Sequence, residues 1–412
     1  MKERKYKFGF VGMNDMSIRT IDECFYQIRN GANIKQGTVE GGYPITRIET
    51  TANDRFNRDR MGYAGITDIE KYESYILQDG DLLMSHINSV QYLGRTVLYE
   101  KQGNEKIIHG MNLLGLKARR DIIIPAYARY CFYSYSFRQQ IGRITKKSVN
   151  QASFAVADLK KIKIKVPDLS EQSRVVDILN RLNQVIEDRQ QELQKLDDLT
   201  KARFVELFGN LIKNEKHWET FKLGECLKRI DNGKSFTCDV QARTGECPAI
   251  LKLSAVTYGD YRPEENKALL DEKQFVESTE VHSGDLLFTR KNTPELVGMA
   301  AYVYNTPNHL MMPDLIFRLV PNERMTAIFL WQLINNREFR PVIQSIAGGS
   351  AKSMSNISKE RLNNISVICP PINEQIRLNE MINQVNKSKV EVQKALDETQ
   401  KLFDSLMQQY FG

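Results

Sequence analysis

The tightest constraint on this chain is a signal written twice. VPDLSEQ occupies residues 166–172 and CPPINEQ residues 369–375, so Pro167 falls on Pro370, Glu171 on Glu374 and Gln172 on Gln375, each 203 positions apart. The same step carries Phe208-Gly209 onto Phe411-Gly412. Upstream, TIDECFYQIRNG (residues 20–31) aligns with KLGECLKRIDNG (222–233) at a step of 202, and DGDLLMSHIN (79–88) with SGDLLFTRKN (283–292) at 204. Landmarks that keep their order while the step drifts by two positions indicate one architecture copied, with small loop insertions. The chain is therefore two units of roughly 205 residues each.

Each proline precedes a long segment of strong helix formers with apolar residues stepping by three and four. Val175, Leu179, Leu182, Ile186, Leu193 and Leu196 form the first seam, interrupted by Arg189. Leu378, Ile382, Val385, Val392, Leu396, Phe403, Leu406 and Tyr410 form the second, interrupted by Lys389 and Thr399. Ser170 and Asn373 are candidate caps, with Glu171 and Glu374 favoured by the positive helix end. Helices running from about Glu171 to Phe208 and Glu374 to Phe411 would each span roughly 55 Å. So narrow a stripe on so long a helix needs a partner helix of like length. Duplication supplies it, and a pseudo-two-fold would lay the pair antiparallel. The polar interruptions at Arg189 and Lys389 would then fix register.

The remaining sequence reads as α+β. Short β-rich runs (81–84, 95–99, 112–117; 285–289, 300–304, 315–320) precede one helical stretch per unit (125–141; 327–344), without the strand-helix alternation of a doubly wound sheet. The expected organisation is a globular domain at 1–166, a spacer helix at 167–213, a second domain at 214–369 and a second helix at 370–412.

At 412 residues both domains can bury a core. Six cysteines lie far apart without a Cys-x-x-Cys, which points to buried free thiols. No apolar stretch reaches the length of a membrane span or a signal-peptide core, so a cytoplasmic protein is expected.

The net charge of +7 is concentrated. Residues 138–165 hold Arg138, Arg143, Lys146, Lys147, Lys160, Lys161, Lys163 and Lys165 against Asp158 alone. Such a stretch is either a solvated face or the footprint of a polyanion partner. Loops between the β-rich runs add side chains suited to base edges or phosphates. In the first unit the candidates are Arg47, Arg55, Arg58, Arg60, His86, Asn88, Lys146, Lys147 and Gln151; in the second, Lys252, Tyr258, Arg290, Lys291, Asn292 and Lys352. HIN in one copy and RKN in the other come directly after the same Gly-Asp-Leu-Leu strand, which is a constant scaffold under a changed surface.

Catalytic motifs are missing from the sequence. It contains no G-x-x-x-x-G-K-[ST], no G-x-S-x-G elbow and neither Asn-Pro-Pro-Tyr nor Asp-Pro-Pro-Tyr. His86, His109, His217, His282 and His309 lack metal-ligand spacing. An enzyme or a metal site is therefore not expected.

Two α+β units, each ending in P-x-x-x-E-Q and a long helix, with KHWETFKLGE (216–225) opening the second, resemble the specificity subunit of type I DNA restriction-modification systems along essentially the whole chain. The resemblance implies two target recognition domains, each reading half of a bipartite sequence in double-stranded DNA. It implies further that the helices form an antiparallel spacer that docks two modification (methyltransferase) subunits. S-adenosylmethionine, ATP and Mg would belong to those and to restriction (translocase and nuclease) subunits, leaving this chain without cofactor or catalysis. The first unit departs from the pattern, since MNDMSIRTIDE (13–23) stands where the second has Trp218. Competing readings are a coiled-coil scaffold without sequence-specific DNA binding and a self-sufficient DNA methyltransferase or nuclease.

Overall fold

A computed structural model describes residues 17–37, 42–148, 151–348 and 354–412. The chain divides into two compact units, one comprising Met1–Gln190 with Lys394–Gly412, the other Gln191–Gln393. Each long helix thus passes from one unit into the other.

The duplication appears in the sheets. In the first unit Phe25–Asn30, Leu113–Ala118, Leu82–Ser85 and Thr96–Leu98 lie side by side in that order, all antiparallel. In the second, Leu227–Asn232, Ile316–Pro321, Leu286–Thr289 and Ala300–Tyr302 repeat the order. Even the irregularities match, with a register shift between Phe25 and Gln27 in one and between Leu227 and Arg229 in the other. A separate antiparallel pair clasps each unit's ends: Ser17–Thr20 with Lys163–Val166, and Thr220–Lys222 with Ser366–Ile368. Ser17–Thr20 thus takes in the first unit the place that Thr220–Lys222 takes in the second. The central strands Leu82–Ser85 and Leu286–Thr289 are buried along their whole length.

The single helical stretch expected in each unit is two helices. Pro125–Tyr133 and Tyr135–Ile144 break at Ser134, whose extended backbone (φ −64°, ψ 150°) and side chain, accepting from the Phe137 amide at 3.2 Å, restart the helix. Ala327–Asn335 and Arg340–Ser345 break likewise after Asn335. Of the cysteines, Cys24, Cys131 and Cys226 are buried, Cys238 and Cys369 half-buried, and Cys247 exposed, so buried thiols are only part of the set. Burial among apolar side chains pushes the Cys24 thiol up to about 11.

The long helices run Leu169–Phe208 and Ile372–Phe411. They start two residues earlier than the sequence suggests, which places Ser170 and Asn373 inside them. In the first helix Asp168 is the cap, its carboxylate accepting from the Glu171 amide at 2.8 Å. In the second, the Glu374 amide bonds the Pro371 carbonyl at 2.9 Å.

In each unit the start of one long helix packs beside the end of the other, as an antiparallel coiled coil requires. The first unit's core combines Val175, Val176 and Leu179 with Phe403, Leu406, Met407, Tyr410 and Phe411. The second combines Leu378 and Ile382 with Phe204 and Phe208. The repeated Phe-Gly landmark gains a function here. The Phe411 ring packs against Tyr127 with centroids 5.1 Å apart, and Phe208 against Phe329 at 4.9 Å. Fully burying such a ring contributes about 1.5–3 kcal/mol. In the second unit Lys389 meets Asp197 at 2.6 Å, so that interruption of the seam is an ion pair.

Candidate nucleic-acid interface

The Gly-Asp of each Gly-Asp-Leu-Leu builds a turn. Gly80 and Gly284 have φ of 84° and 95°, the left-handed region that favours glycine. Asp81 accepts from the Gln78 amide at 2.8 Å and pairs with Lys117 at 2.6 Å; Asp285 accepts from the His282 amide at 2.9 Å and pairs with Arg318 at 2.9 Å. The central strand beyond the turn delivers the HIN and RKN residues to equivalent positions.

There each unit forms a small ribbon. In the first, Ile87–Asn88 pairs with Ala152–Ser153, which pairs on its other side with Lys146–Lys147. In the second, Lys291–Asn292 pairs with Ser355–Asn356. The structure thus brings together His86, Asn88, Lys146, Lys147 and the neighbouring Gln151, which are far apart in sequence. Lys146, Lys147 and Gln151 are exposed.

Not every candidate points outward. His86 is 5% exposed, its Nδ1 has no hydrogen-bond partner, and burial holds its pKa below the usual imidazole value. Asn88 donates to Ser85 Oγ at 3.3 Å and accepts from the Ser89 amide at 2.8 Å. Asn292 is buried and does the same work, donating to Thr257 Oγ1 at 3.0 Å and accepting from the Thr293 amide at 2.8 Å. The shared asparagine terminates the strand, and its hydrogen-bonding groups are used internally.

Arg58 is also committed internally. It forks onto Glu105 (Nε to Oε2 3.0 Å, Nη2 to Oε1 2.6 Å), donates to the Glu100 carbonyl at 2.8 Å and lies over Phe56. Its guanidinium holds the Glu105 carboxyl down to about 2. Arg55 meets Glu187 of the first long helix at 2.5 Å, and Arg47 donates to Gln36 at 2.5 Å; both are exposed, as is Arg60.

In the second unit Arg290 lies over the Phe317 ring and donates to Asn356 Oδ1 at 3.3 Å, while its Nε is buried without a partner. Lys291 lies 3.9 Å from Asp314 and Lys252 3.6 Å from Glu265. Tyr258 is exposed, with Arg262 over its ring. Lys352 lies outside the described residues. Part of the basic stretch is engaged within the protein: Arg138 donates to the Leu93 carbonyl, and Lys160 and Lys161 are paired with Asp22 and Asp158.

Sequence reasoning passes over Ser153 and Asn356, whose cross-strand pairing puts them beside Ile87 and Lys291. A two-residue strand carries no periodic signal, so only the fold identifies them.

Among the described residues, no group of three or more His, Cys, Asp or Glu could hold a metal ion, and no helix is long and apolar enough to cross a membrane. The type I restriction modification DNA specificity domain matches the chain twice, over residues 13–197 and 215–400. The putative type I restriction enzyme MjaX specificity subunit of Methanocaldococcus jannaschii is 27% identical, over 96% of this chain and 94% of that protein. The EcoEI specificity subunit of Escherichia coli is 31% identical over 39% of this chain and 27% of its own length. The crystal structure of the type I restriction-modification S subunit from M. genitalium shares the fold, at TM-score 0.59 and 14% identity over 98% of each chain. With two such domains in tandem, each leading into its long helix, the chain belongs to the family of type I restriction-modification DNA specificity subunits.

Proposed function

We propose that each domain reads one half of a bipartite target in double-stranded DNA and that the paired helices set the distance between the halves. The observation that carries this reading is the repeated scaffold with unlike side chains on it: the same sheet order and the same Gly-Asp turn present Ile87 in one unit and Lys291 in the other. A homodimeric reader would carry the same residue at both places and favour a palindrome. A duplicated chain with different residues suits two unlike half-sites.

A helix of 40 residues extends about 60 Å and serves as a ruler. Exposed apolar residues recur on the helices at equivalent positions, Leu169 with Ile372 and Leu199 with Leu402. They are suited to docking two copies of one partner, the modification subunits. In this reading the chain itself is not catalytic and acts in the cytoplasm. S-adenosylmethionine belongs to the modification subunits, and ATP and Mg to the restriction subunits.

The experiment is to map methylated adenines in a host expressing the chain with its modification subunits, before and after removing one turn from each helix at matched positions. Unchanged half-sites at an altered separation support the reading. Methyl transfer by the purified chain alone, or no sequence preference by the full complex, overturns it.

A further inference from the structure

Strand register identifies a row of side chains that stand on the same face of the first domain's ribbon. Ile87 is directly opposite Ser153, and Ser153 directly opposite Lys146. Residues directly opposed across antiparallel strands share a face. Their neighbours Asn88, Ala152 and Lys147 occupy the other face, where Ala152 is buried and Asn88 is spent on Ser85 and Ser89. The first row meets solvent along its length, Ile87 being 39% exposed, Ser153 half-buried and Lys146 exposed, whereas on the other face only Lys147 is exposed. The equivalent row in the second domain is Lys291 opposite Asn356.

We infer that these rows, and not the HIN and RKN triplets as such, determine the half-site each domain reads, by entering the major groove. The inference rests on the DNA-reading function proposed above and adds the residues that discriminate. With strands about 4.8 Å apart, a three-strand row spans about 10 Å. The first domain's row fits the major groove, about 12 Å across, and exceeds the minor groove, about 6 Å, whereas the two-strand row of Lys291 and Asn356, about 5 Å wide, fits either groove and is placed by its equivalence to the first row. The basic side of the ribbon, Lys146 and Lys147, matches the charge of the duplex.

The two rows also differ in the chemistry that distinguishes bases. Ile87 offers an apolar contact for a thymine methyl, Ser153 a hydroxyl that both donates and accepts, and Lys146 a cation for guanine O6 and N7 or a phosphate. In the second domain Lys291 takes the place of the apolar residue, and Asn356 can use its amide on adenine. In the free protein Lys291 faces Asp314 at 3.9 Å and Asn356 accepts from Arg290. Both contacts are long enough to be exchanged for a base edge.

The test moves the second row onto the first domain. Ile87→Lys with Ser153→Asn is made in the chain, co-expressed with its modification subunits, and methylated adenines are mapped beside wild type. The expected result is methylation of the original first half-site reduced on the order of tenfold to a hundredfold, a new preference at one or two of its positions, and an unchanged second half-site. Retention of the second half-site shows that the variant is folded. Lys146→Gln, a change at an exposed position, is the companion: altered preference at one base pair places Lys146 in the row, whereas equal loss on every DNA makes it a phosphate contact and removes it from the row. Unchanged sequence and rate for the double variant overturn the inference while leaving DNA reading intact. A wild-type complex without sequence preference would instead overturn the function on which the inference rests.

Discussion

Replacing Gln172 tests what the repeated Glu-Gln signal does. Gln172 is 0% exposed and uses its whole amide: Nε2 donates to the Ile122 carbonyl at 2.9 Å and the Pro167 carbonyl at 2.8 Å, and Oε1 accepts from the Ile124 amide at 2.8 Å. Gln375, also 0% exposed, repeats the set with the Arg324 carbonyl at 2.9 Å, the Pro370 carbonyl at 2.8 Å and the Thr326 amide at 2.9 Å. In both units one side chain ties the start of a long helix to the entry of the domain's helical pair and to the proline before it.

Gln172→Leu keeps the volume and strands three backbone groups. A buried unpaired group costs about 1–3 kcal/mol, and part of that is recovered by the apolar side chain and by water reaching the half-buried Ile122 and Ile124. The net loss is therefore about 2–5 kcal/mol, a large share of a typical domain's stability. Amide exchange read by mass spectrometry suits the question, because the Ile124 amide reports directly on the lost bond and the Thr326 amide serves as control within the same chain. Exchange around residues 122–134 should accelerate by at least thirtyfold, roughly 2 kcal/mol, with 324–336 unaffected; Gln375→Leu should reverse the pattern. A cost below about 1 kcal/mol, or equal acceleration in both units, would refute the argument that Gln172 is a local lock.

Three further outcomes rest on side-chain contacts elsewhere in the chain. His109 is 5% exposed and burial holds its pKa down at about 4, so the unfolded chain takes up the proton first as pH falls. Stability is intact above about pH 6.5 and declines toward pH 4, by up to about 3 kcal/mol, and urea unfolding across that window should show a slope that His109→Gln flattens. Arg58→Ala should cost about 1.5–3 kcal/mol by leaving Glu105 without its fork, read as a lowered melting temperature, with half-site choice unchanged because the guanidinium is committed internally. Lys389→Ala should cost no more than about 1 kcal/mol by the same measurement, since its pair with Asp197 is partly exposed; a loss several times larger would mean that the pair controls helix register.

The long helices are legible in the sequence because 3.6-residue periodicity is a local property repeated over some ten turns, and Val175, Leu179, Leu378 and Ile382 are buried as the seams require. Central strands such as Leu82–Ser85 are legible for a similar reason, being continuous apolar runs after a turn. Strands of two residues carry no such pattern, and Ala152–Ser153 exists only because Ile87–Asn88 and Lys146–Lys147 lie on either side of it. The break at Ser134 is hidden because no Gly or Pro marks it and one serine signals either a cap or a tolerated interior residue.

The arginines show a different limit. Arg58 and Arg60 stand two positions apart in one loop, and nothing local distinguishes the one that forks onto Glu105 from the one left exposed, since the partner lies 47 residues away. The same holds for the Glu-Gln signal. Read locally, its weight falls on Glu171 and Glu374 as companions of the helix dipole, and in the fold these are members of ion pairs with the exposed Arg174 and Arg377. The neighbouring glutamines are what the repeat preserves, because their partners at Ile122 and Arg324 lie about fifty residues upstream in each copy. A pair that recurs in two copies, with the same long-range bonds in both, identifies the residue under constraint where a single copy would have pointed to the more familiar charge.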